Sequence, residues 1–125
     1  VKERKERIKK ITELVDYNKP LIIRPAALSI GEQKKISFAR ALICEPDILF
    51  LDEPSESIDD KTEDLFISIL KNLIAENKTI VYVSHDNYFI NSFLCDKIYF
   101  EDGKIKEKIL LDDINQMDDY YEGDL

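Results

Sequence analysis

Glycine is scarce in this chain: Gly31, Gly103 and Gly123 are the only three in 125 residues. No two stand five positions apart, which excludes a Gly-x-x-x-x-Gly-Lys-Ser/Thr loop, the backbone cradle that wraps nucleotide phosphates. Long apolar runs are also lacking. Ile48 to Leu51 and Ile80 to Val83 are the longest, far short of the ~20 apolar residues that cross a bilayer. Direct membrane insertion is therefore not expected, and a charged N-terminus with no apolar stretch behind it gives no sign of a signal peptide. Cysteine is limited to Cys44 and Cys95, which form no Cys-x-x-Cys pair and read as buried free thiols of a reducing compartment. With 44% hydrophobic and 35% charged residues, the composition is that of a soluble globular domain and excludes a disordered or fibrous chain.

The net charge of −8 is unevenly spread. Lys2, Arg4, Lys5, Arg7, Lys9 and Lys10 crowd the start, interleaved with Glu3 and Glu6, whereas residues 112–125 are acidic with no Lys or Arg. Two solvated ends are the preferred reading. The acidic balance argues against this chain gripping nucleic acid by itself.

Hydrophobic periodicity predicts a helix over 2–16 with Ile8, Ile11, Leu14 and Val15 on one face, then a connector punctuated by Asn18, Pro20 and Pro25. A second helix is expected from Ser29 to about Cys44, with Ile36, Ala39, Leu42 and Ile43 inward, ended by Glu45-Pro46-Asp47. Ile48 to Leu51 and Thr79 to Val83 read as strands covered on both faces of a parallel sheet. Between them Asp59 or Asp60 caps a helix carrying Leu65, Phe66, Ile69, Leu70, Leu73 and Ile74. A short helix over Asp86 to about Leu94 precedes a hairpin turned at Asp102-Gly103, and a last acidic helix is expected from Asp112 to about Tyr121. The order implies an α/β fold with parallel central strands, flanking helices and a closing β-hairpin.

Three places carry chemistry. Leu28-Ser29-Ile30-Gly31-Glu32 opens the second helix, and Ser29 and Glu32 have capping-box spacing. The same helix start offers free N–H groups and positive dipole to a phosphate, with Gly31 permitting close approach. The five residues alone do not decide between a cap and a ligand site. Asp52 and Glu53 end the first apolar strand, at the edge where open α/β sheets bind ligands. They read either as a solvated turn or as a division of labour, with Asp52 holding Mg²⁺ and Glu53 polarising a water. His85, the only histidine, ends the second strand on that same edge. Such a lone histidine is usually structural, but from there it could hydrogen-bond a phosphate.

Taken together, these segments resemble ATP-binding-cassette (ABC) ATPases. Leu28 to Glu32 resembles the family's signature motif, Ile48 to Glu53 its Walker B strand, Ser55-Glu56-Ser57-Ile58-Asp59 its D-loop, and Ser84-His85-Asp86 its switch-histidine loop. Lys34 to Leu42 and Glu45-Pro46-Asp47 also match the family's usual text, and order and spacing agree over residues 28–103. Ile30, where Gly is usual, and the D-loop text before Asp59 depart from it.

The resemblance implies a partial P-loop NTPase-type sheet and three segments: the end of a helical subdomain (1–27), the C-terminal half of the ATPase core (28–111) and an acidic tail (112–125). It implies Glu53 and His85 as catalytic, Asp52 on Mg²⁺ through water, and Ser29, Ile30, Gly31, Glu32, Gln33 and Asp59 on ATP. The Walker A loop would come from a missing N-terminal half or a second nucleotide-binding domain, and the chain alone would be inactive. ATP sites shared in a dimer, a membrane permease as partner, and a cytoplasmic place, peripheral at the inner membrane face, follow. A transporter motor subunit is the first expectation. Ser84 to Ile90 also resembles soluble ABC-F translation factors, the second. A non-catalytic module completing a partner's ATP site is the third.

Overall fold

The computed structural model describes residues 1–112 of the chain. The tail assigned to 112–125 and its acidic helix lie outside the described residues, except for Asp112. Two compact units are present, Val1–Ile90 and a second beginning at Asn91.

In the first unit, α1 (Lys2–Leu14) leads through a 3₁₀ turn at Pro25–Ala27 to α2 (Ile30–Leu42). Then follow β1 (Ile48–Asp52), α3 (Asp60–Ala75), β2 (Thr79–Val83) and α4 (Asn87–Asn91). The strands pair in parallel, Ile48 opposite Thr79 through to Asp52 opposite Val83. Beyond the ladder, the Thr79 N–H donates to Asp47 O and the Glu53 N–H to Val83 O, each at 2.9 Å. The Lys78–Asp47 ion pair at 2.7 Å staples the start of both strands.

The core lies on one face of this two-stranded sheet. Leu49 is buried there, and α3 packs on β2 through a face carrying Phe66, Ile67, Ile69 and Leu70. Phe38 of α2 meets Phe66 with ring centroids 4.4 Å apart, and Phe89 of α4 meets Tyr82 edge-on at 5.1 Å. The opposite face is open: Ile48 is 55%, Phe50 75%, Val81 45% and Val83 62% exposed. Strands covered on both faces were expected, and here the structure differs. The continuous apolar runs are suited to two-sided burial, but the described residues supply a helical layer to one side only.

The helix faces also differ in detail from those expected. In α1 no residue is buried: Leu14 is exposed, and Val15 at its C-cap is fully buried. The buried residues of α2 include Phe38 besides Ala39 and Leu42, while Ile36 and Ile43 are half-buried. In α3, Thr62, Glu63 and Ile67 are buried and Ile74 is exposed. Cys44 is exposed and Cys95 half-buried, so the buried thiols expected are not found. Cys44 falls in the turn after α2 rather than on its inner face.

In the second unit β3 (Lys97–Glu101) and β4 (Lys104–Ile109) form an antiparallel hairpin with a register shift at Tyr99/Phe100. Asp102 and Gly103 both have positive φ, 48° and 73°, the backbone of the two-residue turns that match strand twist.

One-sided burial makes a paired prediction. Leu70→Ala removes a fully buried side chain and should cost about 2–5 kcal/mol. Phe50→Ala, on the open face, should cost under about 1 kcal/mol despite the larger deletion. Urea denaturation of both variants checks this, and equal losses would contradict the open face.

Candidate functional site

Parallel pairing brings the ends of β1 and β2 side by side, so the loops that follow them share one edge. Asp52 ends β1 exposed, on the open face, opposite Val83. Glu53 follows with φ 45°, a left-handed conformation that costs a non-glycine residue roughly 1–2 kcal/mol. Its backbone is tied on both sides: its N–H reaches Val83, and its carbonyl accepts from the Lys34 ammonium of α2 and from the Glu56 N–H. Turned this way, the Glu53 carboxylate meets His85, with Oε1 and Nδ1 2.9 Å apart. Its other oxygen, Oε2, is buried without a hydrogen-bond partner in the structure, an acceptor left for something further. Glu53 thus has one oxygen engaged and one free, while the His85 ring is largely exposed. The Glu53 hydrogen bond and charge raise the His85 pKa above its ordinary value, against a smaller opposing effect of desolvation.

The α2 N-terminus forms a complete capping box: Ser29 Oγ accepts from the Glu32 N–H at 3.2 Å, and Glu32 Oε2 from the Ser29 N–H at 2.8 Å. Glu32 is also paired with Lys19 at 2.7 Å. The Lys19 hydrogen bond, followed by that of Ser29, holds its carboxyl below the ordinary range. Gln33 Nε2 donates to Pro25 O and Leu28 O, bracing the turn before the helix. Ile30 is exposed, and nothing lies within 4 Å of where a Gly31 side chain would begin. Asp59 caps α3, its Oδ1 accepting from the Thr62 N–H at 2.7 Å.

The structure therefore joins Glu53 with His85 and sets Asp52 beside them. Ser29, Ile30, Gly31, Glu32 and Gln33 stand together at the start of α2, linked to Glu53 through Lys34, and Asp59 stands at the far end of the loop from Glu53. Lys34 was read only as part of a matching text, and its contact with a backbone carbonyl 19 residues away had no signal in the sequence. Glu63 is a second residue whose place the sequence motifs did not indicate. It is buried, and it precedes Phe66 and Ile67 by three and four residues, a helical spacing that could have placed it on the inner face. Burial first, then the charge of Asp86, push its pKa up to about 7.

A carboxylate ending a parallel strand, a glutamate bonded to a histidine in the loop after the neighbouring strand, and a capped helix start thus belong to one α/β domain. Comparison with known proteins identifies its class. The family model described as ABC transporter matches residues 2–56. An uncharacterised ABC transporter ATP-binding protein of Thermotoga maritima is 35% identical over 105 residues, 84% of this chain and 44% of that protein. The histidine/lysine/arginine/ornithine transport ATP-binding protein HisP of Salmonella typhimurium is 38% identical over 84 residues, 67% of this chain and 33% of that protein. The dimeric structure of MJ0796, a bacterial ABC transporter cassette, superposes with a TM-score of 0.80 at 28% identity, covering 88% of this chain and 48% of that one. The chain belongs to the ABC ATPase family and has its nucleotide-binding-domain fold. It spans between a third and a half of the length of these proteins.

The His85–Glu53 pair fixes the sign of a pH effect. A histidine pKa raised on folding adds stability that is fully present below the unfolded value, near 6.5, and is lost as pH rises through the folded one. In a proton NMR titration of the ring, Glu53→Gln should bring the His85 midpoint back down toward about 6.5. An unmoved midpoint would remove Glu53 as its cause.

Proposed function

We propose that this chain is the C-terminal half of an ATP-hydrolysing cassette, and that it serves as part of the motor subunit of an ABC transporter. The Glu53–His85 contact at the carboxyl edge of the parallel strands carries the reading. Glu53 holds the attacking water through its free oxygen and accepts its proton as the water oxygen bonds to the terminal phosphorus and the bond from that phosphorus to ADP breaks, ADP leaving with the electron pair. His85 fixes that carboxylate and, through its exposed ring, donates a hydrogen bond to the terminal phosphate.

Among the described residues no three or more metal-ligating side chains converge. That fits Mg²⁺, which takes one or two carboxylates and fills the rest of its shell with water and phosphate oxygens. Asp52 would hold it, and the ion when bound would neutralise phosphate charge. Ser29, Ile30, Gly31, Glu32 and Gln33 would present the α2 N-terminus to the ATP of a facing cassette, the space over Gly31 being open to it. Asp59 would line the same shared site. In this reading the phosphate cradle, for which residues 1–125 hold no Gly-x-x-x-x-Gly-Lys-Ser/Thr loop, would come from another segment or chain, and with it a layer to cover Ile48, Phe50, Val81 and Val83. A membrane permease would be the transport partner. Relatives named as transport ATP-binding proteins support the transporter branch.

Glu53→Gln in the complete cassette should cut steady phosphate release by the order of 10²-fold or more while ATP binding persists. Turnover within about twofold of the parent would overturn the assignment. Gly31→Asp should place bulk and negative charge against the facing phosphate and abolish ATP-dependent dimerisation. An unchanged dimer fraction in size-exclusion chromatography would contradict the shared site.

A further inference from the structure

A second acidic centre, Glu63 with Asp86, adjoins the first, and the chemistry above does not use it. Glu63 projects from the first turn of α3 into the interior, with only 8% of its surface exposed. Its Oε1 is buried with no partner. Its carboxyl hydrogen-bonds the Asp86 side chain, and the two carry charges of the same sign when both are ionised. Asp86 follows His85 directly in the chain. It also accepts a hydrogen bond from the Ser55 side chain of the Glu53–Asp59 loop, and it caps α4 by accepting from the Tyr88 N–H at 2.9 Å and the Phe89 N–H at 3.4 Å. Asp86 thus ties together α3, α4, the loop carrying Glu53 and the loop carrying His85.

We propose that Glu63 is a proton-dependent positioning residue, whose neutral carboxyl donates to Asp86 and so holds the His85 loop against the Glu53 loop. This rests on the reading of His85 as part of the hydrolytic site. Two carboxyls sharing a buried site cannot both ionise cheaply, so one keeps a proton. Burial, then the charge of Asp86 and the hydrogen bond to it, then Asp60 and Asp64 on its own helix, raise Glu63 to about 7. Burial works against the charged form of Asp86 as well, but hydrogen bonds from Ser55, the Phe89 and Tyr88 backbone and Glu63 outweigh it and keep Asp86 below the ordinary carboxylate range. The proton therefore resides on Glu63. The Tyr88 phenol, which donates to Asp64 at 2.6 Å and has a raised pKa, stays neutral throughout. Above neutrality Glu63 releases its proton to solvent, the hydrogen bond becomes a repulsion between two carboxylates, and the loop bearing His85 is freed from its brace.

Because the folded pKa of Glu63 lies above the unfolded one, this group adds stability that is complete below the ordinary carboxylate range and is lost as pH rises through about 7. The test is a pH titration by NMR in a His85→Gln parent, which removes the ring's own titration near the same pH, following the backbone amides of Ser84 and Asp86 and the Glu side-chain carboxyls in that parent and with Glu63→Gln or Asp86→Asn added. In the parent, one Glu carboxyl and the loop amides should titrate together near 7. Glu63→Gln keeps the donor without the charge, so the shared midpoint should vanish while the loop amides hold the positions of the low-pH parent. Asp86→Asn removes the opposing charge, so the Glu63 midpoint should fall below about 7, burial still holding it above the ordinary carboxylate range. Every Glu titrating in the ordinary range, or loop amides whose midpoint survives Glu63→Gln, would overturn the proposal. No ATP is involved, so its failure is distinct from that of the hydrolytic reading. In the complete cassette, Glu63→Gln should flatten the alkaline fall of hydrolysis, while Glu63→Ala, which lacks the donor, lowers it at all pH values.

Discussion

Everything at the candidate site depends on five residue pairs. With Ile48 opposite Thr79 and Asp52 opposite Val83, β1 and β2 end level with one another. Glu53 and His85, 32 residues apart, thereby become neighbours. A slip of β1 by one residue would turn Phe50 toward the core and carry Asp52 off the edge it now shares with the His85 loop. The register is held at one end by the Asp47–Lys78 pair and the Thr79 N–H, and at the other by the bond from Glu53 to Val83. The bond that completes the ladder therefore also orients the candidate catalytic residue.

The site is assembled at some cost. Glu53 adopts a left-handed backbone and keeps one carboxylate oxygen without a partner, and the charges of Glu56 and Asp86 act on its partner His85. Such departures persist where surrounding structure over-determines them. Here that structure includes Lys34, whose helix begins with the signature-like residues. A cation on α2 thus joins the residues read as facing another cassette's ATP to those read as hydrolysing this one's. Beneath, the neutral Glu63 lets two carboxyls occupy a space that two carboxylates would resist.

The elements themselves were legible in the sequence because their signals are local. The α3 stripe, the β-branched run at Thr79 to Val83, the capping box at Ser29 and Glu32 and the Asp102-Gly103 turn each arise from residues within a few positions of one another. The likeness of four ordered motifs then pointed to the family and to Asp52, Glu53 and His85.

What the sequence determined by itself was the order of elements and the identity of the residues at the strand ends, since periodicity and capping are properties of neighbouring side chains. The tertiary structure alone decided which of those residues meet. Lys34 could have faced solvent, as most lysines do, until packing brought it to the Glu53 carbonyl. Glu63 is by sequence a first-turn acid of α3, and only the burial of the face that it shares with Phe66 and Ile67 sets it beside Asp86. Ile48, Phe50, Val81 and Val83 read as core, and they lie open because burial depends on what is packed opposite, which no single strand encodes.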